Sequence, residues 1–153
     1  VQSFDAKLPS MVDVHITVGI LLLSLNLIAG VWGIAAWLLR RPTTIFWYLL
    51  RAAQISVVIQ AVLGAILLLD GHSAKEDIHY LYGILPLGIA FITEMMRVGA
   101  AQKVVGDIEY DKLPEDEARE LALQIFIAET RVMALGCLII AALALRAAMT
   151  SGL

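Results

Sequence analysis

From Ile16 to Leu39 the chain runs for 24 residues without a charged side chain. About 20 largely apolar residues suffice for a helix to cross the hydrocarbon of a bilayer. Inside hydrocarbon the backbone cannot bond to water, so only helices and closed barrels survive there. This run is more than twice the length of a barrel strand and lacks the alternation of apolar and polar residues that a barrel wall needs. It is also too long for the core of a cleaved secretory signal, and no A-x-A-like site follows it. The run therefore predicts a transmembrane helix, which stops at Arg40-Arg41-Pro42.

Three further stretches follow the same logic. Ala52–Leu69 is uncharged over 18 residues and ends at the turn signal Asp70-Gly71. A third begins at Ile78, is interrupted at Glu94 and continues to about Ala101. The fourth is the least clean: Val132–Leu145 counts only 14 uncharged residues and reaches spanning length only by including Leu121–Ala128, with Glu129 and Arg131 between. Apolar residues make up 60% of the chain and charged ones 16%, a surplus that a soluble domain of 153 residues has too little interior to hide. The expectation is an all-α membrane protein. It forms a single integral domain, 1–153, with spans near 14–39, 45–69, 78–101 and 119–147 joined as an up-down-up-down four-helix bundle by short links. Pro114-Glu115-Asp116-Glu117 reads as the start of the fourth helix, outside the hydrocarbon.

Sidedness follows the basic residues. Arg40, Arg41, Arg51, Arg97, Lys103, Lys112, Arg119 and Arg131 fall at the links 40–44 and 102–118, against Lys7, Lys75 and Arg146 on the opposite side. The two links are expected in the cytoplasm and both termini outside it, in a prokaryotic plasma membrane. Aromatic residues gather at both edges: Trp37, Phe46, Trp47 and Tyr48 at the inner one, Tyr80 and Tyr82 at the outer. No basic run suggests nucleic acid. Cys137 is the single cysteine, which excludes an internal disulfide and a multi-cysteine metal site. Asp107, Glu109 and Asp111 alternate as in a calcium loop, but the turn glycine and the distal glutamate are missing.

Polar groups within spans are expensive and face the bundle interior. On the first helix His15, Gly19, Asn26, Gly30 and Gly33 form one stripe. Close helix packing, with Asn26 bonding across to a neighbour, is one reading; a groove for a flat cofactor with His15 at its outer end is the other. On the third helix His79 and Arg97 share a line, and Pro86 deprives the Tyr82 carbonyl of its donor, which predicts a kink. His15 and His79 lie at the outer ends of diagonal helices. Two neutral imidazoles facing one another are the ligand set of a six-coordinate haem b. His79 also fits an interfacial aromatic belt with Tyr80 and Tyr82. On the second helix Ser56, Gln60 and Gly64 share faces suited to helix contact.

At the inner edge stand Arg51, Glu94, Arg97, Glu129 and Arg131, with Arg51 and Arg131 as available partners for Glu94. An ion-pair clasp, a proton-relay carboxylate, and a site for a quinone or lipid headgroup are the alternatives. Nothing resembles a nucleophile–base pair or a phosphate loop, so no enzymatic activity is expected. The leading expectation is a small accessory or structural subunit of a larger respiratory or electron-transfer membrane complex. In that role Glu117–Ala128 offers an amphipathic docking surface to other integral subunits. A haem- or quinone-binding anchor using His15 and His79, and a proton or ion carrier using Glu94, are the alternatives. From sequence, Glu94→Leu should weaken the bundle less than Arg51→Leu or Arg97→Leu, because losing an arginine strands a carboxylate in low dielectric. Melting temperatures of the three variants in detergent test this order, and equal values remove it.

Overall fold

The computed structural model describes residues 9–108 and 112–151; Glu109 and Asp111 of the acidic alternation, and Lys7, lie outside the described residues. The chain forms four helices, α1 (Met11–Leu38), α2 (Thr44–Leu69), α3 (Ile78–Val105) and α4 (Glu115–Thr150). All four are long and apolar enough to cross a membrane, and no strand occurs among the described residues. They make a four-helix bundle in which α4 packs against α1 and α3, α1 packs against α2, and α1 and α3 stand diagonally. The seam between α2 and α3 is the loosest between neighbours.

Local chemistry sets the helix ends. α1 starts at Met11 because Ser10 and Asp13 close a capping box, each side chain bonding the other's backbone N–H. α3 runs through Pro86, Glu94 and Arg97 to Val105 and stops at Gly106, whose φ of +52° suits glycine. α4 begins at Glu115 directly after Pro114, with three acids in its first turn. At 36 residues it is about 54 Å long at 1.5 Å per residue, well beyond the hydrocarbon thickness. Its apolar window is the most hydrophobic of the four although its uncharged run is short. The charged pair Glu129 and Arg131 falls in its long lead-in. The α1–α2 link turns through Arg40, a non-glycine residue at φ +51°, and Arg40 pairs with Glu120 on α4 at 3.2 Å.

The core has two parts. Ala29, Phe46, Leu50, Ala53, Met133, Ala134 and Cys137 fill the half nearer the links, and Leu22, Val57 and Ile140 fill the half nearer the termini. Outward-facing positions are apolar as well: Val31, Ile55 and Phe91 are more than half exposed, the pattern of a bundle solvated by lipid. α3 is the least buried helix, with only Pro86 and Thr93 enclosed.

The glycine stripe of α1 is a packing face. A Cβ on Gly30 would meet Leu138 at 2.6 Å, and one on Gly33 would meet Phe46 at 2.5 Å and Ala134 at 2.6 Å. Side chains from α2 and α4 thus occupy the space that a flat cofactor would need along this part of α1. Asn26, wholly buried, donates to the Leu22 carbonyl of its own helix at 2.9 Å, and Ser56 likewise donates to Ala53. The bond from Asn26 thus runs within its own helix rather than across to a neighbour. The apolar side of Glu117–Ala128 is also used internally: Leu121 is buried, and Phe126 stacks edge-on against Trp47. Gly33→Ala should therefore destabilise the bundle by about 1–3 kcal/mol through overpacking. Gly99→Ala, whose Cβ would meet nothing within 4 Å, should be neutral or stabilising by up to about 1 kcal/mol. Unfolding in mixed detergent reads both.

Candidate functional site

Polar side chains concentrate at the two ends of the bundle. At the end nearer the termini, three helices each contribute one polar side chain. His15 lies one turn into α1, fixed in depth by the Ser10 cap. Gln60 projects from α2, and His79 is the second residue of α3. The His15 and His79 ring centroids stand 6.4 Å apart with their planes at 64°. His79 Nδ1 donates to the Ala147 carbonyl of α4 at 3.0 Å, so all four helices meet here. His15 Nε2 lies 3.2 Å from Gln60 Nε2.

Glycines make the room for this pair. A Cβ on Gly19 would come within 3.1 Å of the Gln60 amide, and one on Gly64 within 3.3 Å of His15 Cε1. Each glycine sits one turn from one partner and lies against the other. Gly83, one turn inward from His79, faces open space. Two buried atoms of the cluster have no partner in the protein, His15 Nδ1 and Gln60 Oε1. Such atoms cost about 1–3 kcal/mol each when left unsatisfied. Among the described residues no three histidine, cysteine or acidic side chains converge as metal ligands. This site offers a metal only the two imidazoles.

At the opposite end the charged residues form a chain rather than a pocket. Arg51 Nη1 donates to Gln54 Oε1 at 2.6 Å and to Glu94 Oε1 at 3.2 Å. Arg97 bonds Glu94 through Nη2 at 3.2 Å and Glu129 through Nη1 at 2.8 Å. Its guanidinium also lies 5.9 Å from the centre of the Trp47 ring. The chain Arg51–Glu94–Arg97–Glu129 thus ties α2, α3 and α4 together where the α2–α3 seam is otherwise loose. Arg131 does not join it. Two residues on from Glu129, it points about 200° away around α4, and its guanidinium lies 6.0 Å from the Trp37 ring on α1. The partner of Glu94 besides Arg51 is Arg97, one turn along its own helix.

The sequence placed His15 and His79 at one end of the bundle but left their separation open. It did not pair Gln60 with His15, although Gln60 and Gly64 on one face pointed to a contact there. The Ala147 carbonyl carries no sequence signal at all, since every residue supplies one. Comparison with known proteins gives no match: no family profile, no curated protein and no solved structure matches the chain.

Burial ranks the charged residues. The side chains of Arg97 and Glu129 are 23% and 18% exposed, and that of Arg51 is 53% exposed. Arg97→Leu takes from Glu129 the guanidinium it pairs with and one of two arginines from Glu94, and should cost about 2 kcal/mol or more. Arg51→Leu leaves Arg97 on Glu94 and should cost about 1 kcal/mol or less. Detergent unfolding of the two variants distinguishes them, and an equal loss would show that the chain does not act as a clasp.

Proposed function

We propose that the protein is a b-type haem-binding subunit of a membrane electron-transfer system, with His15 and His79 as the two axial ligands. The observation that carries this reading is the separation of the two rings. Two imidazoles bound to one metal ion through nitrogens at about 2 Å bring their centroids to about 6 Å apart, and the rings here are 6.4 Å apart. A metal held by only two protein ligands needs its remaining positions filled by a group it brings with it, and a porphyrin supplies four.

Gly83, one turn inward from His79, faces open space, so α3 places no side chain beneath its ligand, whereas the Gln60 amide lies over Gly19. Gly64 makes room for the His15 ring itself, and α4 brings the small residue Ala147 to His79. The Ala147 carbonyl orients His79 by accepting a hydrogen bond from its Nδ1–H, which leaves Nε2 to face a metal, the usual outer-sphere support of a ligating histidine. Bound haem would supply one-electron chemistry, cycling between ferric and ferrous iron. The chain itself holds the rings, limits water and keeps the site at one edge of the bilayer. On the excess of Arg and Lys at the two links, we read the haem edge as extracytoplasmic and the charged clasp as cytoplasmic, in a prokaryotic plasma membrane.

A place in a larger complex has separate support. α3 is hardly buried and keeps Leu81, Ile84, Phe91, Ile92 and Met95 on its surface, ample area for another integral subunit. A carrier of electrons also needs a donor and an acceptor, for which a quinone is a suitable membrane-soluble candidate. A proton carrier built on Glu94 has less support, because Arg51, Arg97 and Gln54 already engage its oxygens.

The purified protein should show a reduced-minus-oxidised spectrum of haem b, with low-spin character lost in His15→Ala and in His79→Ala. A well-folded protein that stays colourless after purification with added haemin would sink the reading.

A further inference from the structure

Resting on that reading, we propose that Gln60 is the positioning residue of His15, selecting the ring nitrogen that is offered to the metal. His79 and His15 are held in opposite senses. The backbone of α4 holds His79 at Nδ1, leaving Nε2. A side chain of α2 holds His15 at Nε2, leaving Nδ1, which is buried and has no partner in the protein. Gln60 therefore does for His15 what the Ala147 carbonyl does for His79.

The amide can meet His15 Nε2 with either end. If its N–H donates to Nε2, the proton must sit on Nδ1, and a buried donor faces the site that cannot bind a metal. If the amide turns over, Oε1 accepts the Nε2 proton, and Nδ1 presents a lone pair. Only the second arrangement makes His15 a ligand; it pairs Oε1 with the ring and turns the amide NH2 to the buried position where Oε1 has no partner in the protein. The two glycines then have a specific role. Gly19 leaves the space in which the amide lies, and Gly64 leaves the space for the carbon edge of the ring. Leucine at position 60 would fill a similar volume without an acceptor, whereas glutamate would accept the same proton more strongly.

The test uses the full chain in detergent, titrated with haemin, comparing wild type with Gln60→Leu and Gln60→Glu. Losing an outer-sphere partner of a metal ligand weakens binding by about 10–100-fold. Gln60→Leu should show a loss of that size while keeping wild-type helicity and melting behaviour without haemin. Gln60→Glu should still bind and show a more negative reduction potential than wild type, because a stronger acceptor makes the imidazole a better donor to ferric iron. An unchanged potential in this variant counts against the proposal even if Gln60→Leu fails to fold. Wild-type haemin affinity in Gln60→Leu, or an unchanged potential in Gln60→Glu, overturns the proposal. Absence of haemin binding in folded wild type overturns the haem reading itself, and this inference with it; the two failures are told apart by wild type alone.

Discussion

The polar groups within the spans are governed by one constraint: a medium that offers no hydrogen bonds. Hydrocarbon forces each backbone amide to find its partner within its own helix, which accounts for four uninterrupted helices. The same constraint acts on side chains. Thr17, Ser24, Asn26, Ser56 and Thr93 all return their donors to a carbonyl one turn back on their own helix. They solve their solvation locally and leave the helix–helix contacts to glycine, alanine and the branched aliphatics. Close approach follows: α4 nests against α1 at Gly30 and Gly33, and Gly136 of α4 receives Thr93 of α3.

Two sets of side chains do not solve their solvation locally, and they lie at opposite ends. The charged chain from Arg51 to Glu129 alternates opposite charges along its length, so each carboxylate meets a guanidinium. Its value is geometric more than energetic, since desolvation offsets much of the attraction in such pairs. It holds three helices together beside the loosest seam, and Trp47 with Phe126 packs it from one side. The histidine end is open by comparison. His15 Nδ1 and Gln60 Oε1 lie together without partners, whereas the other buried atoms in that state, Arg97 Nε and Thr130 Oγ1, stand apart from them. The charges are paired across helices, whereas the histidine end keeps both a ring nitrogen and an amide oxygen without partners.

Several features were legible in the residues alone. Uncharged runs and their bounding charges identified four membrane-spanning helices, because bilayer thickness translates directly into a count of residues. The location of both histidines at one end followed from helix direction. Other features were hidden by geometry that spacing does not carry. Arg131 looked like a partner of Glu94 by depth, but side-chain direction on α4 turns it toward Trp37 instead. Asn26 looked like a cross-helix donor by face, yet it donates to a carbonyl on its own helix. The amphipathic start of α4 also carries internal contacts that its spacing does not show, to α2 through Trp47 and to the α1–α2 link through Arg40.

The order of residues was enough to establish what kind of solvent surrounds this protein, how many helices can cross that solvent, and which residues lie near each end. These depend on composition and one-dimensional spacing, which transfer free energies read directly. Which polar groups meet is a property of the folded bundle. Rotation of each helix about its axis and the choice of diagonal neighbours bring His15, Gln60, His79 and the Ala147 carbonyl to one point. Those degrees of freedom are set by the packing of small residues on four separate helices at once, and no single stretch of sequence encodes them.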